Sequence, residues 1–110
     1  MFRFEEGLLK SGLIREQRAT ALSVLSSALQ AVDPGRAVKR FLRREGHLLT
    51  VAGIPYDLQA FDRVLVVGGG KAGAAMAAAV EEVLADRISG GVVNVKYGHL
   101  ARVDRVRICQ

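Results

Sequence analysis

The segment from Arg63 to Gly73, Arg-Val-Leu-Val-Val-Gly-Gly-Gly-Lys-Ala-Gly, constrains this chain more than any other. Arg63 to Val67 is continuously apolar after its first residue, the pattern of a central parallel strand covered on both faces. Three consecutive glycines end it. Beyond them Ala72, Ala75, Met76, Ala79, Val80, Val83 and Leu84 recur on one face of a helix, with Gly90-Gly91 placed to close it as a C-cap. The run Val92-Val93-Asn94-Val95 follows at once. Strand, glycine turn, helix and strand predict a right-handed βαβ unit in a parallel sheet.

Such a unit also predicts where chemistry would occur. The first N–H groups of a helix have no intrahelical acceptor, and here they would point into the mouth of the sheet, where phosphate or carboxylate binds. Gly68, Gly69, Gly70, Ala72 and Gly73 form that mouth. Each glycine costs roughly 0.5–1 kcal/mol of folding entropy relative to alanine, so three in succession imply a need. Lys71 opposes the helix dipole, at a cost of roughly 0.3–1 kcal/mol unless an anion sits there. Its amine could stabilise charge on a transferring phosphoryl group, which marks it as the candidate catalytic residue.

Gly68, Gly70 and Gly73 also satisfy G-x-G-x-x-G, so a dinucleotide fold competes. A nicotinamide site wants an acid about 20 positions on, at the end of the second strand, where this chain has Asn94 and Lys96. A P-loop is excluded, since no Gly-Lys-Ser/Thr follows Gly68 at the required spacing. Lys96-Tyr97-Gly98-His99 leaves the second strand at its carboxyl end, beside the glycine loop, so Lys96 could add positive charge and His99 could donate a proton. His47 has a weaker claim. Two histidines and one cysteine, widely spaced, make no zinc pattern, and no G-x-S-x-G elbow is present.

The lead-in to this unit reads as helical. Leu22, Leu25, Ala28, Leu29 and Val32 repeat at three and four residues. Asp33-Pro34 then starts a second helix, whose stripe Ala37, Val38, Phe41 and Leu42 continues to Gly46. Leu48 to Val51 and Ile54 to Leu58 suggest a small hairpin, with Pro55 arguing against a central strand. Val103 to Ile108 suggests a last strand with one wetter face. A chain that stops inside a strand leaves an edge uncovered, so a longer domain is expected.

With 110 residues, 25% charged, 5% aromatic and 12 Gly, the chain suits one soluble α/β domain. The single Cys109 makes no internal disulfide, and neither the start of the chain nor the run from Ala72 to Val80 is a signal or membrane-spanning segment, so a reducing cytoplasm is expected. The net charge of +5 favours anionic partners without choosing among them. Arg36, Lys39, Arg40, Arg43 and Arg44 read as the solvated end of a helix, and no interleaved aromatics support nucleic acid binding.

In order, Asp33-Pro34, Tyr56-Asp57-Leu58, the loop from Val66 to Ala72, Met76-Ala77, Val80-Glu81 and Lys96-Tyr97-Gly98-His99 resemble the N-terminal region of the type II glycerate 2-kinases, which also go by the name hydroxypyruvate reductase. The resemblance implies a Rossmann-like N-terminal domain, here incomplete, divided into a helical lead (1–46), a short β and loop connection (47–62) and a βαβ unit with a terminal strand (63–110). It implies phosphoryl transfer from ATP, with Mg2+, to the 2-hydroxyl of D-glycerate, with Lys71 in a cleft completed by a second, C-terminal domain in cis or in trans. Family members commonly carry alanine at Gly69, and alanine or serine at Gly73. The segment alone is expected to be inactive, because half a cleft cannot align donor and acceptor. A nicotinamide-dependent reductase half-domain and a non-catalytic basic module are the competing readings.

Overall fold

The computed structural model describes residues 14–110, which divide into two compact units, one ending at Asp33 and one running from Pro34 to Gln110. The first holds helix α1 (Arg15–Ala31), with Glu16 in its first turn where a carboxylate complements the dipole. Of the expected stripe only Leu22 is buried, while Leu25, Leu29 and Val32 are exposed. The spacing specifies the helix; burial also needs a covering surface.

The second unit contains α2 (Pro34–Phe41), β1 (Leu42–Glu45), β2 (Leu48–Val51), β3 (Ile54–Asp57), β4 (Leu65–Gly69), α3 (Gly73–Leu84), β5 (Gly90–Asn94) and β6 (Arg107–Cys109). Single 3₁₀ turns at Leu58–Ala60 and Ala85–Arg87 follow β3 and α3. The strands form two sheets, an antiparallel β1-β2-β3 and a parallel β4-β5-β6.

The second helix is shorter than its sequence predicts. It stops at Phe41, and Leu42 to Glu45 pair instead with β2, Leu42 opposite Val51 and Glu45 opposite Leu48. Side chains there alternate, with Leu42 and Arg44 half-buried and Arg43 and Glu45 exposed, so strand pairing overrides helix propensity. Phe41, expected in the buried stripe, is 56% exposed. The hairpin of β2 and β3 forms as expected, with Pro55 on an edge strand that needs no ladder donor.

In the parallel sheet β5, not β4, is central. The apolar run of β4 encodes two apolar faces, but among the described residues α3 covers one, leaving Leu65 and Val67 64% and 80% exposed. Gly90-Gly91 does not cap α3; the helix ends at Leu84, Ala85 takes positive φ, and the two glycines open β5. Gly91 permits close strand approach, since a Cβ there would lie 2.2 Å from the Val66 carbonyl oxygen. The last strand is confined to Arg107–Cys109 and runs parallel to β5.

The core lies between α3 and the parallel sheet. Ala74, Ala77 and Leu84 meet Val93, Val95 and Val106, and Leu49, Leu58 and Ile88 extend the cluster towards the antiparallel sheet. Small side chains on α3 let the helix sit close to the strands. α2 packs against α3, and Lys39 and Glu82 pair across them. The basic run is thus divided: Arg44 donates to the Leu84 carbonyl at 2.6 Å and to Asp86 at 3.2 Å, joining β1 to the end of α3. Arg87 donates to the Leu58 and Phe61 carbonyls, fixing the entry to β4. No helix among the described residues is long and apolar enough to cross a membrane.

Because the Gly91 position abuts backbone, Gly91→Ala is expected to force β4 and β5 apart and destabilise the second unit by about 1–3 kcal/mol. Gly90→Ala, whose Cβ would meet nothing within 4 Å, provides the control in the same urea titration.

Candidate functional site

The glycine loop is a three-residue connection, Gly70-Lys71-Ala72, between the end of β4 and the start of α3. Gly70 takes φ of +112°, a conformation that side chains resist, and its N–H donates to the Asn94 carbonyl at 2.9 Å. That bond carries the β4–β5 ladder one step beyond the strand. The Gly73 N–H then donates to the Gly70 carbonyl at 3.1 Å, closing the turn. The first helical bond runs from the Met76 N–H to the Ala72 carbonyl, and no side chain caps the helix. The Ala74 and Ala75 amides therefore have no intrahelical acceptor at the mouth of the loop.

Lys71 is exposed at the apex of this turn and makes no hydrogen bond or ion pair among the described residues. A primary ammonium and unpaired helix amides at a strand's carboxyl end form a donor set for an anion's oxygens. Gly73 sits close against β5: a Cβ there would fall 2.7 Å from Val93 Cγ1, so the valine would have to shift to admit one. At Gly68 and Gly69 a Cβ would find ordinary contact distances, so the alanine common at the Gly69 position fits this backbone.

Asn94, whose carbonyl holds Gly70, is followed by Val95 and Lys96, so Lys96 leaves β5 beside the loop. Gly98 with φ of +82° and a bond from the His99 N–H to the Lys96 carbonyl turn the chain there. Lys96 and His99 are both exposed, and His99 has no bonded side-chain partner among the described residues. His47 lies on the β1–β2 turn and contributes its backbone carbonyl, which accepts from Leu58. The described residues contain no group of three His, Cys, Asp or Glu side chains able to hold a metal.

Residues 20–110 match the family described as Domain of unknown function, DUF4147. The chain belongs to the DUF4147 family. It is 38% identical over 78 residues to a glycerate kinase of Danio rerio, covering 71% of this chain and 15% of that one. It is 38% identical over 79 residues to a D-glycerate 2-kinase of Thermotoga maritima, covering 72% and 16% respectively. A crystal structure of the PH0495 protein from Pyrococcus horikoshii OT3 superposes with a TM-score of 0.67 at 30% identity, over 89% of this chain and 21% of that one. The glycerate kinase resemblance and the α/β fold are borne out. This DUF4147 chain spans less than a fifth of the two kinases.

Sequence reasoning missed one residue of this DUF4147 site's surroundings, Glu81 on α3, whose two carboxylate oxygens accept the N–H groups of Asp104, Arg105 and Val106 at 2.6–2.7 Å. Spacing gives no signal for such a contact, because the partners are backbone. Desolvation raises the Glu81 pKa, but the three amides and nearby Arg105 outweigh it and hold the carboxyl below its ordinary 4.5. A lowered folded-state pKa contributes stability that is present above about pH 4.5 and is lost as pH falls through the lowered value. Glu81→Gln is therefore expected to unfold more readily than the original chain at neutral pH. The two stabilities should converge at acid pH, as read by urea midpoints across a pH series.

Proposed function

We propose that this chain forms the glycine-loop lobe of an ATP-dependent glycerate 2-kinase, which transfers the γ-phosphoryl group of ATP to the 2-hydroxyl of D-glycerate. The observation that carries the reading is Lys71, an unpaired cation at the junction of a parallel strand and an uncapped helix N-terminus. Membership of a family whose relatives include named glycerate kinases supports this substrate class.

In this reading the amides at the start of α3 and Lys71 bind phosphate oxygens, and Lys71 Nζ offsets charge that accumulates on the transferring group. Gly68, Gly69, Gly70, Ala72 and Gly73 shape the cradle, and Lys96 adds positive potential from the end of β5. In the same reading His99 would hold or release a proton at the acceptor hydroxyl. The donor set fits phosphate oxygens, not a metal; Mg2+ would be carried by the nucleotide's phosphates and would neutralise part of their charge. A C-terminal domain in cis or in trans supplies the rest of the cleft, since alignment of donor and acceptor accounts for a large share of rate enhancement. Cytoplasmic location fits the lone Cys109, which has no disulfide partner.

A dinucleotide-binding half-domain is the second reading. It is favoured by the close approach of Gly73 to Val93, the role of the third glycine in G-x-G-x-x-G. Asn94 at the end of β5, in place of an acid, counts against it. Two measurements separate the readings. In a protein that also carries the proposed C-terminal domain, Lys71→Ala is expected to lower ATP-dependent phosphorylation of D-glycerate by about a hundredfold or more, and unchanged turnover contradicts the kinase assignment. Tighter binding of NADH than of ATP would favour the second reading.

A further inference from the structure

Three successive backbone amides, those of Asp104, Arg105 and Val106, converge on the single carboxylate of Glu81. Consecutive N–H groups arranged in this way form an anion-binding concavity, and here the anion is supplied by the chain itself. The amides stand at the end of the connection between β5 and β6. That connection has no regular secondary structure and begins with Val95, followed by Lys96-Tyr97-Gly98-His99. Most of its side chains are exposed, including Leu100 at 60%, so burial does little to fix its first half. Its two ends are held by burial of Val95 and Val106 and by hydrogen bonds: the Val95 N–H donates to the Cys109 carbonyl at 2.7 Å, and the 104–106 amides donate to Glu81 on α3.

We infer that Glu81 is a positioning residue for the proposed phosphate site: by holding residues 104–106 against α3 it fixes the span of the β5–β6 connection, and with it the placement of Lys96 and His99 beside the glycine loop. The inference rests on the kinase reading for its functional consequence, but its structural content stands apart from that reading. Glu81 lies eight residues beyond Gly73, about 12 Å along the helix axis, too far to touch a phosphate bound at the helix start. It acts through backbone.

Charge and placement make opposite demands here. Arg102, Arg105, Glu82, Asp86 and Asp104 line a surface pocket together with Glu81. Removing its negative charge makes the lobe more positive, which by long-range attraction alone would strengthen binding of an anion. Loss of placement would weaken it. The sign of the change therefore distinguishes a positioning role from a general electrostatic one.

The test uses the isotope-labelled chain, with Glu81→Gln and Glu81→Asp. Glutamine keeps the length but not the charge, and aspartate keeps the charge but withdraws its oxygens by about 1.5 Å. Without ligand, both variants are expected to lose at least tenfold in hydrogen-exchange protection at the 104–106 amides and to shift the Lys96–His99 resonances, while the amides of α3 and β5 stay protected. With ATP as the probe, both are expected to bind several-fold more weakly than the original chain. Unchanged Lys96–His99 resonances, or tighter ATP binding by Glu81→Gln, would overturn the inference. If the original chain does not bind ATP without the proposed C-terminal domain, the ligand-free resonances alone decide the placement, and the kinase reading is decided separately by the Lys71→Ala turnover measurement. Should Glu81→Gln not fold, Glu81→Asp decides by the same readouts.

Discussion

The contact between the glycine-bearing turn and the central strand sets the geometry of the second unit. Gly70 donates to the Asn94 carbonyl, Gly73 sits against Val93, and Gly91 lies under the Val66 carbonyl, so β4, β5 and the first turn of α3 approach more closely than side chains would permit. This closeness aligns the ends of the strands with the helix start. It leaves unpaired amides and the Lys71 ammonium at one edge of the sheet, where an anion can satisfy them. Replacing the backbone contacts with side-chain packing would separate the strands and fill the same mouth.

Around that contact the unit is held by a few polar staples on a small aliphatic core. Arg44 and Arg87 tie the antiparallel sheet and the approach to β4 onto the end of α3, and Ser89 pairs its N–H and its hydroxyl with the backbone of Val64. Each uses a long or bifunctional side chain to satisfy carbonyls and amides that loops would otherwise leave unpaired. Glu81 does the same for the return to β6. Among the described residues Lys39, Arg44, Glu81, Glu82, Asp86 and Arg87 are satisfied internally, whereas Lys71 and Lys96 make no side-chain hydrogen bond or ion pair.

The sequence made the βαβ unit and its loop legible because their signals are local: a continuous apolar run, consecutive glycines and a helical stripe. The end of α2 was not legible, since Leu42 to Glu45 suit a helix by propensity and become a strand only through pairing with Leu48 to Val51. Gly90-Gly91 resembled a helix stop, but the reason for Gly91 is a strand neighbour 25 residues earlier, Val66. The exposure of Leu65 and Val67 could not be read either, because an apolar face states what must be covered and not what covers it. At the site, Lys71 stood out by breaking a helix-dipole rule, whereas Glu81 binds backbone and leaves no pattern.

The kinase proposal requires phosphate oxygens to bind between Lys71 and the first amides of α3. The most direct measurement is a map of amide chemical-shift changes in the labelled chain as ATP is added. Changes concentrated at Gly70 to Ala75, with smaller ones at Lys96 to His99, are the expected result. Binding that leaves those amides unmoved and instead perturbs the arginines of α2 and β1 would contradict the account.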